Sequence, residues 1–176
     1  MYMVILAVVI NQPDLVIDIE NATSNISGRG VIISKDEVLT VSHLIKDIND
    51  KVVLTRLNKK YEAICHAKHY NLDVARLKLK NGLTFKEKEF PKIKQGKELD
   101  WKPTFYKING VEYDFNGWTT GEIVSDKIKM RGFRLIRQNN FGDSGLPVYD
   151  SQNNLVGLVS GKRHNDEINT IVTFIR

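Results

Sequence analysis

Short apolar segments recur along this chain at intervals of about ten residues, and this spacing limits the fold more than any other feature. Turn-forming Gly, Asn, Asp and Lys residues separate the segments, and none of the segments has the pattern of a long helix. A series of short strands of this kind is typical of a β-barrel. The strands predicted on this basis are Met1–Ile10, Leu15–Glu20, Gly30–Ser34, Glu37–Val41, Lys51–Leu57, Tyr61–His69, Phe105–Ile108, Glu122–Val124, Lys127–Arg131, Phe133–Arg137, Leu146–Tyr149, Leu155–Ser160 and Thr170–Ile175.

Residues 81–102 interrupt the series of strands. This segment is charged, contains a proline and has little periodicity, so its later part is interpreted as a connection between two barrels. A chain of 176 residues is long enough to form one ordinary domain or two small lobes with a buried apolar core. The predicted organisation is an N-terminal barrel over residues 1–85, a connecting segment over residues 86–102 and a C-terminal barrel over residues 103–176.

The composition excludes several other classes of protein. Cys65 is the one cysteine in the sequence, which rules out an internal disulfide and favours a reducing compartment. Met1–Ile10 lacks the basic start and cleavage site of a signal peptide and is too short to cross a membrane. The formal charge of +5 permits contact with nucleic acid, but the Lys and Arg residues are scattered, which favours a solvated surface. No residues have metal-ligand spacing and no glycine-rich phosphate loop occurs, so no metal or cofactor is expected.

One stretch near the C-terminal end is suited to nucleophilic catalysis. Ser144 lies between glycines in the segment Gly142-Asp143-Ser144-Gly145-Leu146-Pro147. Glycines let the backbone bend sharply and approach a substrate carbonyl, which suits backbone N–H groups that converge into an oxyanion hole. A serine hydroxyl is a weak nucleophile at neutral pH and requires a base, together with a group that orients the base.

Candidates for the base and its orienting group lie upstream of this stretch. A histidine follows a predicted strand in Leu39-Thr40-Val41-Ser42-His43, and an aspartate precedes another strand in Asp73-Val74-Ala75-Arg76-Leu77. The structural alternatives are a histidine that only ends a strand and an aspartate that only forms a turn. Asp47 and Asp50 also follow the histidine and compete with Asp73 for the orienting role.

Cys65 is a second candidate nucleophile because His66 follows it directly. Adjacent residues on a strand point to opposite faces, so this pair cannot act together on a strand. Cys65 is therefore interpreted as a small core residue.

The three segments around His43, Asp73 and Ser144, taken in this order, resemble those of the chymotrypsin-fold (trypsin-like) serine proteases. The run from Gly28 to His43 is similar to the start of the high-temperature-requirement proteases, and Gly145-Leu146-Pro147 resembles some viral polyprotein proteases. The resemblance extends from about Gly28 to the C-terminus, with a poorly matched middle. It implies an all-β fold of two antiparallel barrels with the active site in the cleft between them. It also implies a polypeptide substrate, no cofactor, and a location in the cytoplasm or the host-cell cytoplasm.

The resemblance assigns a role to each of these residues. His43 is the general base, Asp73 orients its imidazole, and Ser144 is the nucleophile. The backbone N–H groups of Gly142 and Ser144 form the oxyanion hole. In digestive relatives, the acid that matches Asp143 pairs with a freshly cleaved N-terminus. Because this chain has no Ile-Val-Gly-Gly-like activation site, we expect Asp143 to have another partner.

The resemblance also suggests residues that contact the substrate. By position, Gln138 forms the floor of the side-chain pocket, and its neutral amide argues against cleavage after Lys or Arg. Ser160, Gly161 and Lys162 occupy the edge strand that pairs with the substrate backbone. A solvated hairpin tip is the alternative interpretation of Lys162.

The function predicted from these residues is that of a serine endopeptidase acting through an acyl-enzyme on Ser144. Its substrate is expected to be a polyprotein or a specific intracellular protein. The rival prediction is a catalytically inactive module with a protease fold that binds protein or RNA. The presence of all three catalytic side chains argues against the rival, because a binding module does not require them.

Overall fold

The computed structural model describes residues 15–69, 72–95, 105–123, 128–161 and 166–175. The strand predicted over Met1–Ile10 and the predicted substrate-binding residue Lys162 lie outside the described residues. The described part of the chain contains twelve β-strands and one short 3-10 turn over Ser42–Leu44. The strands form two closed barrels.

Each barrel contains six antiparallel strands. The N-terminal barrel closes in the order β1-β2-β3-β6-β5-β4 and consists of β1 (Val16–Asn21), β2 (Ile26–Ile32), β3 (Glu37–Thr40), β4 (Val52–Arg56), β5 (Lys59–His69) and β6 (Val74–Leu79). The C-terminal barrel closes in the order β10-β11-β12-β9-β8-β7 and consists of β7 (Phe105–Ile108), β8 (Val111–Ile123), β9 (Ile128–Ile136), β10 (Pro147–Tyr149), β11 (Leu155–Gly161) and β12 (Asn169–Phe174). This topology confirms the prediction of an all-β fold with two antiparallel barrels.

The alternation of side chains along β1 shows how the sequence builds the N-terminal barrel. Ile17 and Ile19 point inward and are 1% and 2% exposed, whereas Asp18 and Glu20 face solvent. Successive side chains of a strand point to opposite faces, so an alternating sequence buries one face and hydrates the other. The inward side chains of the neighbouring strands complete a continuous apolar cluster.

The sequence prediction divided β9 wrongly into two strands, Lys127–Arg131 and Phe133–Arg137. The structure has one continuous strand, Ile128–Ile136, which passes through Gly132. A Cβ atom added to Gly132 would lie 1.8 Å from the carbonyl oxygen of Val172 on β12. Gly132 therefore permits a close approach of two paired strands and does not mark a turn.

Two other strands are longer than predicted. β8 begins at Val111, where the sequence indicated a strand only at Glu122–Val124. The sequence at the centre of β8 looks like a turn because the strand has a bulge there, between Phe115 and Trp118. Gly117 lies in this bulge with a φ angle of +92°. β2 begins at Ile26 and not at Gly30. Its polar residues Ser27 and Arg29 face outward, so the start of the strand lacks the apolar run that marked Gly30–Ser34 in the sequence.

The two barrels contact each other next to the predicted nucleophile. The N–H of Arg29 on β2 donates to the carbonyl oxygen of Ser144 at 2.7 Å. A Cβ atom added to Gly145 would lie 1.7 Å from the carbonyl oxygen of Arg29, so this contact requires glycine. Leu155, Leu158 and Ile175 of the C-terminal half also join the apolar cluster of the N-terminal barrel. The loop that carries Ser144 is thus packed against β2.

Candidate active site

The pairing of β3 with β6 places His43 beside Asp73. Thr40, at the end of β3, is opposite Ala75 near the start of β6. His43 lies three residues beyond Thr40 on the 3-10 turn, and Asp73 lies two residues before Ala75. The antiparallel register brings the two side chains to the same end of the barrel, where His43 Nδ1 is 2.6 Å from Asp73 Oδ2.

The Asp73 carboxylate is completely buried and accepts four hydrogen bonds. Its Oδ1 accepts from the hydroxyl of Ser42 and from the backbone N–H of His43, both at 2.9 Å. Its Oδ2 accepts from the hydroxyl of Ser160 at 2.7 Å and from the His43 ring. These donors satisfy a charge that would otherwise be costly to bury, and they leave the carboxylate one orientation.

The same contacts determine the protonation of the Asp73–His43 pair. Burial alone would raise the pKa of the Asp73 carboxyl. The hydrogen bond and charge of the His43 imidazole, with the Ser160 hydroxyl and the His43 N–H, outweigh burial and lower the pKa below its usual value. Asp73 is therefore ionised at neutral pH, and it holds the imidazole with Nδ1 protonated and Nε2 free to accept a proton.

Ser144 lies between strands of both barrels. Its carbonyl oxygen accepts from Arg29 on β2, and its hydroxyl lies 3.5 Å from the carbonyl oxygen of Ser160 on β11. Ser160 connects the three predicted catalytic side chains, because its hydroxyl binds Asp73 while its carbonyl meets Ser144. Within the described residues, no hydrogen bond joins the Ser144 hydroxyl to the His43 ring.

The backbone around Ser144 has the features of an oxyanion-binding turn. Gly142 and Gly145 have φ angles of +89° and +95°, a region that favours glycine. In the described part of the chain, the N–H groups of Gly142 and Ser144 donate to no other group. Two unpaired N–H groups beside the serine hydroxyl suit the negative oxygen of a tetrahedral intermediate.

An ion pair inside this turn gives Asp143 the partner that was expected. Arg137 Nη1 donates to Asp143 Oδ2 at 3.0 Å, and the two side chains are 10% and 17% exposed. Asp143 Oδ2 also accepts from the N–H of Asn140 at 2.9 Å. The guanidinium of Arg137 lies over the ring of Tyr113. Asp143, which lies between Gly142 and Ser144, is therefore held by contacts with Arg137 and Asn140.

Three other residues that the sequence singled out lie outside the hydrogen-bonded group of His43, Asp73 and Ser160. Gln138 is exposed, and Gly161 ends β11 directly after Ser160. Asp50 is buried, but it accepts hydrogen bonds from Asn21 and from the backbone of Lys46 and Asp47, away from the His43 ring.

Cys65 and His66 point to opposite faces of β5, as expected for neighbours on a strand. Cys65 is 3% exposed and burial raises the pKa of its thiol, while His66 meets Glu37 on the outside of the barrel. The interpretation of Cys65 as a core residue agrees with this position.

Sequence reasoning did not assign three of the polar contacts at the site. Ser42 and Ser160 bind Asp73 through their hydroxyls, and Arg137 binds Asp143. The position of Ser42 directly before His43 was a usable signal, because a 3-10 turn brings adjacent side chains near the same carboxylate. Ser160 was predicted to contact substrate through its backbone, and nothing in the sequence indicated that its hydroxyl turns inward.

A comparison with protein-family models defines the class of this protein. A family model described as a trypsin-like peptidase domain matches residues 28–158, which is more than half of the chain. The chain therefore belongs to the trypsin-like peptidase domain family, as the resemblance predicted. Comparison with individual curated proteins finds no match.

Solved structures of proteases share the fold at low sequence identity. An inactive form of Rv3671c from M. tuberculosis H37Rv has a TM-score of 0.69 and 19% identity, over 92% of this chain and 81% of that chain. The protease domain of MamO from Magnetospirillum magneticum has a TM-score of 0.68 and 13% identity, over 92% of both chains. A human pathogenic astrovirus serine protease has a TM-score of 0.66 and 15% identity, over 94% of this chain and 91% of that chain. The TM-scores show a common chymotrypsin-like fold, and at such low identities the likeness extends to the fold alone.

Neither a metal site nor a membrane helix is found in the described ranges. No three His, Cys, Asp or Glu side chains there lie close enough to hold a metal ion. No helix in the same ranges has the length and apolar character needed to cross a membrane.

Proposed function

We propose that the chain is a serine endopeptidase in which Ser144 attacks the peptide carbonyl and forms an acyl-enzyme. The observation that carries this proposal is the buried Asp73 carboxylate, which lies 2.6 Å from His43 Nδ1 and leaves Nε2 as the ring nitrogen that can accept a proton. A histidine held in this tautomer accepts a proton from a serine hydroxyl and later returns it to the leaving amine.

The weak contact of the Ser144 hydroxyl supports this role. At 3.5 Å from the Ser160 carbonyl oxygen, the hydroxyl is at the outer limit of a hydrogen bond. The hydroxyl is therefore free to leave this contact and to donate to His43 when a substrate binds. In the first step Ser144 Oγ bonds to that carbon, and the proton passes to His43 Nε2.

The N–H groups of Gly142 and Ser144 supply the main stabilisation of the transition state in this proposal. They have no competing acceptor in the described part of the chain, so they are available to the carbonyl oxygen as it becomes negative. Loss of one such donor typically raises the barrier by about 3–4 kcal/mol. The amine then leaves with the proton from His43, and water repeats the sequence to release the acid.

The proposed substrate contacts follow from the resemblance to the trypsin-like proteases. Gln138 is proposed as the floor of the pocket for the side chain before the scissile bond, and its neutral amide disfavours cleavage after Lys or Arg. Ser160, Gly161 and Lys162 are proposed to pair with the substrate backbone. We propose a polyprotein or a specific protein of the cytoplasm or host-cell cytoplasm as the substrate, in keeping with the single cysteine of the sequence.

Two experiments test the proposal. A serine-directed fluorophosphonate probe should label the wild-type chain and leave Ser144→Ala unlabelled, with both proteins folded by circular dichroism. A diverse peptide library with cleavage sites identified by mass spectrometry should then give products from the wild type only. Equal peptide cleavage by purified Ser144→Ala would end the proposal, and a wild type without labelling or cleavage would favour an inactive module that binds protein or RNA.

A further inference from the structure

A polar pocket lies on the outer face of the N-terminal barrel next to the predicted oxyanion turn. It has a volume of about 520 Å³, and its lining includes Asp18, Glu20, Asn25, Arg29, Thr55 and Gly142. Gly142 is the one lining residue from the C-terminal half of the chain, and its N–H donates to no group among the described residues. The pocket is therefore adjacent to the position proposed for the scissile carbonyl.

The charges around this pocket are unevenly paired. Asp18 and Glu20 are two residues apart on β1, so both face outward. Asp18 Oδ1 is 3.0 Å from Nε of Arg29 on β2, which neutralises that carboxylate. Glu20 is opposite Ser27 on β2 and Val53 on β4, and within the described chain its side chain has neither a hydrogen bond nor an ion pair. The pocket thus has one uncompensated negative charge, on Glu20.

The position of Ser144 indicates which part of a substrate reaches the pocket. Ser144 lies between β11, which its hydroxyl contacts, and β2, which its carbonyl oxygen contacts. A peptide whose acyl portion pairs with β11 passes Ser144 and continues towards β2, where the pocket opens. The residues that follow the scissile bond are therefore the ones that approach Glu20.

We propose that this pocket selects a Lys or Arg side chain in one of the first positions after the scissile bond, with Glu20 as the specificity-determining residue. This inference rests on the proposed peptidase function. The aliphatic part of a long basic side chain packs against Ile26, which also lines the pocket, and its charged end reaches Glu20. Thr55 and Asn25 supply further polar atoms for the ammonium or guanidinium group.

The expected preference is moderate because Glu20 is exposed. Exposed ion pairs typically contribute about 0.2–1 kcal/mol, which corresponds to a ratio of up to about fivefold in kcat/KM. Added salt should reduce the ratio, because such pairs are screened.

The test compares matched peptides on the full chain. Starting from the best-cleaved sequence of the library, the first three positions after the scissile bond are changed one at a time to Lys or to Gln. At one position the wild type should prefer Lys by about two- to fivefold in kcat/KM. Glu20→Gln should abolish that preference and retain cleavage of the Gln peptide, and Glu20→Lys should prefer a Glu peptide instead.

Glu62→Gln is the matched control. Val53 on β4 lies between Glu20 on β1 and Glu62 on β5, so both glutamates face outward about 10 Å apart. Glu62 does not line the pocket. This variant removes one carboxylate charge outside the pocket, together with its exposed pair with Lys80 at 3.8 Å, and should keep the Lys preference. An equal loss of preference in both variants, or a preference unchanged in Glu20→Gln, would overturn the proposal.

A binding measurement separates this inference from the proposed function. Ser144→Ala should bind the Lys peptide about two- to fivefold more tightly than the Gln peptide by fluorescence anisotropy, and Glu20→Gln in that background should remove the difference. If the wild type cleaves peptides without any such difference, the pocket assignment alone fails. If it cleaves nothing but the binding difference is present, the peptidase proposal fails and Glu20 still selects basic peptides.

Discussion

Replacement of Arg137 by methionine tests whether the ion pair with Asp143 holds the oxyanion turn. The side chains of Arg137 and Asp143 are 10% and 17% exposed, so the variant leaves a largely buried carboxylate without its cation. Removing one member of a buried pair typically costs about 3–5 kcal/mol. Asp143 keeps the hydrogen bond from the N–H of Asn140 and some contact with water, so we expect about 2–4 kcal/mol at this site.

The expected kinetic effect follows from the position of Asp143 between Gly142 and Ser144. If the turn relaxes around an unpaired carboxylate, the N–H groups of Gly142 and Ser144 leave the arrangement proposed for the oxyanion hole. Because one oxyanion donor is typically worth a factor of about 10²–10³, kcat should fall at least about tenfold while KM changes little. Urea unfolding gives the stability, and initial rates on the best-cleaved library peptide give kcat and KM.

The controls for Arg137→Met separate the buried pair from charge in general. Lys78→Met removes a cation from an exposed pair with Asp36, whose side chains are 54% and 42% exposed, and should change stability by less than about 1 kcal/mol. The double variant Arg137→Met with Asp143→Asn removes both charges and should be more stable than Arg137→Met alone. A folded Arg137→Met protein with kcat within about threefold of the wild type would refute the assigned role of the pair.

Three further predictions concern the same site. Because His43 must be neutral to accept a proton, activity should be lower at acid pH than at neutral pH, and a flat rate from about pH 5 to about pH 9 in folded protein would contradict a histidine base. Because the pKa of Asp73 is lower in the folded chain than its ordinary value of 3.8, its stabilising contribution is complete above that value and is lost as the pH falls through the folded pKa. Unfolding by urea between about pH 6 and about pH 3 should show this loss in the wild type and a weaker one in Asp73→Asn. Gly145→Ala combines a positive φ with a contact to the Arg29 carbonyl oxygen and should lower the free energy of unfolding by about 2–4 kcal/mol. Gly82→Ala, at a positive φ in open space, should lower it by about 1 kcal/mol. Equal losses in the two variants would contradict the close contact at Gly145.

The fold was predictable because period-2 alternation and turn residues act locally. β1 and β11 appear in the sequence within one residue of their bounds in the structure, since buried and exposed positions alternate or form short apolar runs. The errors fall where a long-range contact decides the local conformation. Gly132 looked like a break in a strand, and only the proximity of Val172 on β12 explains why glycine continues the strand there.

The candidate triad was predictable for a different reason. His43 and Asp73 lie next to strand ends in recognisable segments, and the register of β3 on β6 then brings them together. The hydroxyl of Ser160 could not be assigned in the same way, because 87 residues separate it from Asp73. Its inward orientation depends on the packing of β11 against the N-terminal barrel, which no local pattern encodes. The residues of the pocket beside Gly142 were missed for the same reason, since they come from β1, β4, β2 and the turn before β2, and they meet only when the barrel closes.

The pairing of Asp143 with Arg137 connects the local sequence to the chemistry proposed for the site. The sequence led us to expect a partner for Asp143, and the structure provides the guanidinium of Arg137, six residues earlier and just after β9. β9 is paired with β12, and Thr170 of β12 donates through its hydroxyl to the carbonyl oxygen of Arg137 at 2.8 Å, which fixes the backbone that presents the guanidinium. The ring of Tyr113 on β8 lies against the same guanidinium. The conformation of the turn that carries Gly142 and Ser144 is therefore maintained by the sheet of the C-terminal barrel, through a cation that belongs to the folded chain itself.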